Sequence, residues 1–148
     1  MARLLGIAIH KEARGEMVSL TTAVVTLEQG VADDFRGKPG KRQVTLLTRE
    51  GWEAACAAAD VEHPWHERRA NLFIEGLELQ QSQGRVLQIG ELRLLITQET
   101  DPCNRMEQLS PGLFAALAPE WRGGVCCSVI AAGEITVGDE VMLIDDER

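Results

Sequence analysis

The sequence predicts a mainly β fold with minor α content: a small closed β-barrel with one main helix and short helical pieces. Its length of 148 residues suits a single domain over residues 1–148, large enough to build a core without disulfide staples. The dominant hydrophobic pattern has a period of two residues, which is typical of half-buried strands. A strand, a Gly-acidic turn and a second strand occur twice, at residues 87–94 and 135–143, and glycine relieves such tight corners in small closed barrels.

Strands are predicted where short apolar or β-branched runs end at charge, glycine or proline. In chain order these runs are residues 4–10, 23–27, 42–48, 71–74, 87–89, 92–97 and 125–131, followed by two short runs within 135–143 on either side of Gly138-Asp139. Residues 28–41 carry three glycines, a proline and several charges without any apolar period, which predicts a long loop. Loops of this length in a compact domain are usually functional or disordered.

One amphipathic helix is predicted over residues 49–59, with Thr48 as its N-cap. One face of this helix has the i, i+3, i+4, i+7 spacing of a buried stripe and consists of Trp52, Ala55, Cys56 and Ala59. Residues 63–69 are polar and turn-like, and residues 113–117 predict a short helical piece before a proline.

The composition argues against several classes of function. The 15 Lys and Arg residues and 23 Asp and Glu residues give a net charge of −8, which disfavours non-specific binding to nucleic acid or to an anionic membrane. No apolar run approaches the ~20 residues of a spanning helix, and the first residues make no convincing signal peptide. Two of the four cysteines are adjacent, an awkward geometry for disulfides, so we expect a reducing, cytoplasmic environment.

Cys103 is the first candidate for chemistry. It follows Asp101 and Pro102 at the end of a predicted strand, so its thiol is expected to project from a rim. Arg105 nearby favours the thiolate, the form that attacks sulfur or binds a soft metal. The alternative is a small buried hydrophobe, which is the expected role of the other cysteines: Cys56, Cys126 and Cys127.

Basic residues form a second feature. They occur in the long loop and after the main helix, at Arg36, Lys38, Lys41, Arg42, Arg68 and Arg69. If they converge they make a site for phosphate or carboxylate, although their spacing alone favours a solvated, charged loop. Asn71 and Gln43 either add polar contacts or satisfy local backbone, and His10 is expected to be an exposed polar cap at the end of a strand.

A zinc site is disfavoured by the sequence. His63 and His66 are separated by Pro64, which breaks a helical register, and Cys103 has no second cysteine at ligand spacing. The nucleophile-elbow, Walker A and dinucleotide-binding signatures do not occur in the sequence.

Taken in order, the motifs resemble the MOSC family, which occurs at the C-terminus of molybdenum cofactor sulfurases and as stand-alone bacterial proteins. The resemblance covers about residues 6–143. It is carried by residues 30–37, 42–44, 69–72 with Gly76, 87–90, Pro102-Cys103, 122–125, and 133–135 with Gly138-Asp139. One departure is Asp33, which stands where family members often have glycine. We therefore expect the loop backbone to differ there.

The resemblance implies a barrel-like β fold and the handling of sulfur or of the molybdenum cofactor. Cys103 would be the sulfur carrier or the molybdenum ligand. The implied cofactor contacts are Arg42, Arg68, Arg69, Asn71 and Arg105. Pyridoxal phosphate belongs to the separate desulfurase domain of the fused enzymes and is not expected on this chain.

Three functions remain open at this stage. In the first, a sulfurtransferase-type function, Cys103 takes sulfur as a persulfide from a cysteine desulfurase or another donor and passes it to the cofactor or another acceptor. In the second, a molybdenum-dependent reductase acts on N-hydroxylated compounds, with electrons from a partner, because the chain has no ferredoxin-like cysteine set. In the third, a non-catalytic barrel binds an anion or a protein partner, and Cys103 is structural. The expected protein partners are a sulfur donor and a molybdoenzyme or electron-transfer protein.

Overall fold

The computed structural model describes residues 1–144 of the chain, which are mainly β-strand. The strands are β1 Arg3–Ile9, β2 Val18–Leu20, β3 Thr22–Thr26, β4 Gly30–Val31, β5 Val44–Thr48, β6 Leu72–Glu75, β7 Val86–Ile89, β8 Leu92–Glu99, β9 Val125–Ala131, β10 Gly133–Thr136 and β11 Met142–Ile144. The α-helices are α1 Arg49–Ala58, α2 Asn104–Leu109 and α3 Leu113–Leu117, and short 3-10 turns occupy Trp65–Arg68 and Pro119–Trp121.

The sheets are not closed into a barrel, so that part of the fold prediction is wrong. Within residues 1–144 the larger sheet has the open order β11-β7-β8-β9-β5-β6-β1-β2, and the smaller sheet has the order β10-β3-β4. The reason lies in the second Gly-acidic motif. Its turn forms, with Asp139 accepting from the Thr136 amide at 2.8 Å, but β10 then pairs with β3 and β11 pairs with β7. The motif therefore determines the local turn. It does not determine which strands β10 and β11 pair with.

The first Gly-acidic motif forms the predicted hairpin. Strands β7 and β8 pair antiparallel, with Ile89 opposite Leu92, and Gly90 between them has a φ of +60°. Along β8 the residues Leu92, Leu94 and Ile96 are buried in alternation with less buried neighbours. The period-two pattern of this segment is therefore confirmed.

Two apolar clusters lie on opposite faces of the larger sheet. The first lies towards the smaller sheet and includes Leu46 of β5, Leu72 of β6 and Ile135 of β10. The second lies under the helices and includes Leu47, the neighbour of Leu46 on β5. Successive strand residues point to opposite faces, so β5 contributes to both clusters and is fixed from both sides.

Helix α1 begins and packs as predicted. The Thr48 hydroxyl accepts from the Gly51 amide at 3.0 Å, and Trp52, Ala55 and Cys56 are buried. The helix connects β5 to β6, which pair in parallel. The sequence pattern did not predict β2, β4 or α2, which are short elements with too few residues to show a period.

The long loop is held against the strands by one buried side chain. Gln43 donates to the carbonyl oxygens of Leu27 and Gly37, and its own oxygen accepts from the Val129 amide. Of the two roles considered for Gln43, the structure supports backbone satisfaction. No helix among residues 1–144 has the length and hydropathy needed to cross a bilayer.

Candidate functional site

A cavity of about 260 Å³ opens where five chain segments end beside β5. These segments are the end of β1, the long loop, the turn before β6, the segment after β8 with the start of α2, and the glycines before β9. All six site residues predicted from the sequence line this cavity: Arg42, Arg68, Arg69, Asn71, Cys103 and Arg105. The structure thus brings together residues that lie up to 63 positions apart in the chain.

The cavity is cationic in an acidic protein. Its described lining includes five arginines, at positions 36, 42, 68, 69 and 105, against the carboxylates Asp34 and Asp101. The chain as a whole has a net charge of −8. Clustered charges of one sign in a concave, partly desolvated site raise the local concentration of the opposite charge. The cavity is therefore suited to an anion.

Cys103 lies at this cavity with an exposed side chain. β8 ends at Glu99, and three residues (100–102) connect it to Cys103. Cys103 directly precedes α2, with φ −121° and ψ 159°. Its thiol makes no capping hydrogen bond to that helix. The predicted exposure of Cys103 is confirmed, and so is the burial of the other three cysteines. Burial raises the pKa of the Cys56 and Cys127 thiols, which suppresses their thiolates.

Arg68 braces the segment that carries the thiol. Its guanidinium is buried and donates to the carbonyl oxygens of Gly123 at 3.2 Å, Thr100 at 3.3 Å and Asp101 at 3.1 Å. Burial lowers the pKa of Arg68, and a negative charge on Cys103 would act in the opposite direction. Since two of the three acceptors directly precede Pro102, Arg68 positions Cys103.

Gly123 leaves room for this brace. A Cβ atom at Gly123 would lie 2.7 Å from the Thr100 oxygen and 3.0 Å from Nη2 of Arg68. Any side chain here would therefore push the guanidinium and the Thr100 carbonyl apart. The Gly-Gly pair that the sequence shows before β9 has a steric function at the site.

Arg69 keeps part of its guanidinium unpaired. Its Nη1 donates to the Gly15 carbonyl at 2.9 Å, but its Nη2 is buried and has no partner among residues 1–144. Burial lowers the pKa of Arg69, and the neighbouring Arg105 and Arg36 lower it further. A buried donor without an acceptor carries a desolvation penalty that an anionic ligand can remove.

Asn71 forms a wall of the cavity. Its side-chain amide donates to the Ala8 carbonyl at 3.1 Å, and its oxygen accepts from the Thr45 amide at 3.1 Å. These bonds join β1 to β5 through one buried residue. Most hydrogen-bonding positions of the Asn71 side chain are thus occupied by the backbone. Asn71 therefore stabilises the wall of the cavity and has little capacity left for a ligand.

Arg42 and Arg105 extend into the mouth of the cavity. Both side chains are exposed, and within the described residues neither has a hydrogen bond or an ion pair. Arg36, from the long loop, lines the same mouth. Two of the four loop cations therefore converge on the site, although their spacing alone had favoured a solvated loop.

His10 is a site residue that sequence reasoning placed wrongly. It was expected to be an exposed cap, but it is only 6% exposed and lines the cavity. Its Nδ1 lies 3.7 Å from Oδ1 of Asp34, beyond hydrogen-bonding distance. Asp34 instead accepts from the His10 amide at 3.0 Å and the Arg36 amide at 3.3 Å. The sequence signal is weak, because Asp34 lies 24 positions from His10.

Burial and neighbouring charges lower the pKa of His10. Burial lowers its pKa, Arg69, Arg36 and Arg105 lower it further, and Asp34 acts in the opposite direction. Phe35 covers the ring, with centroids 5.9 Å apart. Burial and the neighbouring cations therefore both favour the neutral form of His10.

The other two histidines are used elsewhere. His63 Nε2 lies 2.7 Å from the Ser110 hydroxyl, and His66 Nε2 lies 2.6 Å from the Ser19 hydroxyl. Within residues 1–144 no group of three or more His, Cys, Asp and Glu side chains has a metal-binding arrangement.

The departure at Asp33 is accommodated by its backbone. Asp33 has a φ of +69°, in the left-handed region that favours glycine. Aspartate tolerates this region better than most residues. The loop thus adopts at this position a conformation that suits glycine, and our expectation of a different backbone there finds no support.

Solved structures share this fold. The YuaD protein from Bacillus subtilis has a TM-score of 0.80 at 17% identity, with 99% of this chain and 98% of that chain covered. YiiM from Geobacillus stearothermophilus has a TM-score of 0.78 at 15% identity, covering 98% and 76%. YiiM from Escherichia coli has a TM-score of 0.68 at 18% identity, covering 97% and 70%. At such identities the likeness establishes the fold alone.

The sequence itself establishes the family. None of the curated proteins matches the chain. The MOSC domain, however, matches residues 26–142, a span that includes the long loop, both arginines before β6, Cys103 and the glycines before β9. With the motif order, the fold and the family match in agreement, this chain belongs to the MOSC domain family.

Proposed function

We propose that this protein is a sulfur carrier whose Cys103 holds sulfur as a persulfide beside a cavity that binds the molybdenum cofactor through its phosphate. One observation carries the proposal: the single exposed thiol of the described chain borders the cavity where five arginines converge. The thiol supplies a nucleophile, and the guanidinium groups supply donors for an anionic acceptor.

The transfer needs no external oxidant. The Cys103 thiolate attacks the outer sulfur of a persulfide on the donor, which we take to be a cysteine desulfurase. A new sulfur–sulfur bond forms on Cys103, the sulfur–sulfur bond of the donor breaks, and the donor cysteine leaves as a thiolate. Cys103 then holds the transferable sulfur at the rim, where an acceptor in the cavity can reach it.

The residues present fit the molybdenum cofactor. A phosphorylated pterin requires guanidinium donors, and Arg42, Arg69 and Arg105 have donors that no other described residue uses. A soft metal favours a thiolate ligand, which only Cys103 offers at this cavity. When bound, the cofactor would supply a metal centre for sulfur or oxygen transfer, while Arg68 holds the Cys103 segment in place.

Intact-mass measurement tests the sulfur-carrier function. The protein is incubated with a cysteine desulfurase and cysteine, and we expect a mass increase of one sulfur atom that is lost on treatment with dithiothreitol. The Cys103→Ala variant should show no increase, and Cys56→Ala, which removes a buried thiol, should behave as the native chain. An unchanged native mass, or an increase retained in Cys103→Ala, would refute the carrier function.

A second candidate is a molybdenum-dependent reductase of N-hydroxylated compounds. The free, exposed thiol at the cavity supports it, since Cys103 could remain bound to the metal. Electrons would come from a separate protein. Metal and pterin analysis of the protein from its native host, followed by a reductase assay, separates the two candidates. A non-catalytic anion-binding protein remains if Cys103→Ala changes neither ligand binding nor cellular phenotype.

A further inference from the structure

We propose that a dianion bound in the arginine cavity is taken up together with a proton, and that His10 is the residue that accepts it. The ligand class is a tetrahedral oxyanion such as a phosphate monoester or sulfate. This inference rests on one part of the proposed function, the binding of an anion in this cavity, and is independent of sulfur transfer on Cys103.

The geometry of two unpaired atoms leads to this proposal. Among residues 1–144, the buried side-chain nitrogen and oxygen atoms without a hydrogen-bond partner are Nδ1 of His10 and Nη2 of Arg69. Both residues line the same cavity. Buried polar atoms are nearly always paired in folded proteins, so Nη2 of Arg69 indicates a missing acceptor. Nδ1 of His10 is also unpaired, although Oδ1 of Asp34 lies only 3.7 Å from it.

The charged groups that face His10 come from three segments. Arg69 approaches from the turn before β6, Asp34 and Arg36 from the long loop, and Arg105 from α2. Three cations against one carboxylate, added to burial, hold the imidazole neutral and its pKa below the ordinary value. The arginines therefore oppose a positive charge on His10 while the cavity is empty of anions.

An anion among these arginines reverses the balance. It offsets the cations that disfavour the imidazolium. Both ring nitrogens of the imidazolium carry hydrogen, so Nδ1 can then donate to Oδ1 of Asp34, which lies 3.7 Å away. The Asp34 side chain is 1% exposed and fixed by two backbone amides, so this acceptor is already in position. Proton and anion thus favour each other's binding.

Linkage gives the size of the effect. If one proton is bound with the anion, affinity rises by up to about tenfold for each pH unit of acidification between the free and bound pKa of His10. Sulfate is the appropriate probe because it stays a dianion across the range in which histidine titrates. Any proton taken up on binding must then be bound by the protein and not by the sulfate.

Nuclear magnetic resonance of the histidine rings provides the first test. The chain has three histidines, and single His→Gln variants assign each signal. We expect the His10 signal to titrate below the ordinary range without sulfate and to shift to higher pKa with sulfate at constant ionic strength. His63 and His66, which bond to serines outside the cavity, serve as controls and should not move.

The second test measures sulfate affinity between pH 8 and pH 6 by calorimetry in buffers of different ionisation enthalpy. The native chain should take up protons and bind more tightly on acidification, and His10→Gln should bind with no uptake and a flat pH profile. Proton uptake on sulfate binding that persists in His10→Gln would overturn this inference alone. So would a His10 ring signal whose pKa is the same with and without sulfate. If His10→Gln fails to fold, the native-chain ring titration decides.

Absence of sulfate binding at every pH overturns both this inference and the anion-binding part of the proposed function. The mass test on Cys103 is unaffected by that outcome. The two proposals can therefore fail separately.

Discussion

Two cavities of the described chain have opposite character. The arginine cavity has a volume of about 260 Å³, whereas a larger one of about 420 Å³ is lined by Glu50, Glu78 and Glu120, with Arg122 and Trp121. Size alone would therefore select the acidic cavity. The two cavities differ, however, in how many of their polar groups already have hydrogen-bond partners within the chain.

In the acidic cavity the chain largely satisfies its own polar groups. Glu50 accepts from the Gly76 amide at 2.8 Å, and Arg122 donates to the Ala116 carbonyl at 3.1 Å and lies 3.9 Å from Glu120. The arginine cavity instead holds both unpaired buried nitrogens of the described chain and an exposed thiol. Buried polar atoms without partners and an exposed thiol are features of a binding site, and only the arginine cavity of the two has them.

The largest expected effect concerns thiol reactivity. Under native conditions we expect iodoacetamide to modify Cys103 at least about a thousandfold faster than the three buried cysteines, which react only after the fold opens. Peptide mapping after timed labelling measures this ratio. Cys103→Ser should leave the native chain almost unlabelled, and all remaining thiols should react in denaturant. Comparable native labelling of Cys126 or Cys127 would contradict the structure.

The next effect compares the arginines of the two cavities. Arg68→Met removes three bonds to backbone carbonyls in a buried site and should lower the free energy of unfolding by about 2 kcal/mol. Arg122→Met removes one part-buried carbonyl bond and should cost less than about 1 kcal/mol. Urea denaturation measures both. Equal losses would show that Arg68 does not brace the Cys103 segment.

The sequence predicted the parts of this site that depend on local chemistry. Cys103 stands out because proline, polar neighbours and the end of a strand are all visible within a few residues. The strands β8 and β9 and helix α1 follow from periodicity and a cap, and the structure confirms them. Motif order was sufficient to identify the family, because it records the fold as a whole.

What the sequence could not predict depends on distant pairing. The turn at Gly138 is visible locally, but the assignment of β10 and β11 to different sheets is not, so a closed barrel was inferred wrongly. The environment of His10 likewise depends on residues from other segments: Asp34 and Phe35 contact it, and Arg69 and Arg105 affect its pKa. Such convergence is a property of the topology, and spacing along the chain carries little information about it.

A third effect concerns anion affinity. Arg105 is exposed at the mouth of the arginine cavity. Arg105→Gln should therefore weaken sulfate binding about threefold to fivefold at low salt, and less at high salt. Arg122→Gln, which removes the same charge from the acidic cavity, should change sulfate affinity little. Calorimetry at two ionic strengths measures both. Equal weakening by the two variants would mean that net charge, and not the cavity, attracts the anion.

A smaller effect is the pH dependence of stability. Because the folded-state pKa of His10 lies below the ordinary 6.5, the unfolded chain binds this proton more readily than the folded chain. Stability should therefore fall as pH falls from about 6.5 towards the folded-state pKa, and become level again below it. Thermal denaturation across this range should show a smaller fall in His10→Gln. The same fall in both proteins would assign it to other groups.

The smallest effect tests backbone strain at the two cavities. Asp33 beside the first cavity and Glu120 in the second both have a left-handed backbone, with φ of +69° and +55°. Glycine removes this strain but adds unfolded-state entropy, and aspartate tolerates the region better than glutamate. Asp33→Gly should therefore change the free energy of unfolding by less than about 0.5 kcal/mol, and Glu120→Gly should raise it by up to about 1 kcal/mol. Urea denaturation compares the two, and the His10 ring signal of Asp33→Gly should match that of the native chain. A shifted His10 signal would instead show that the Asp33 side chain helps to set the loop that carries Asp34 and Arg36.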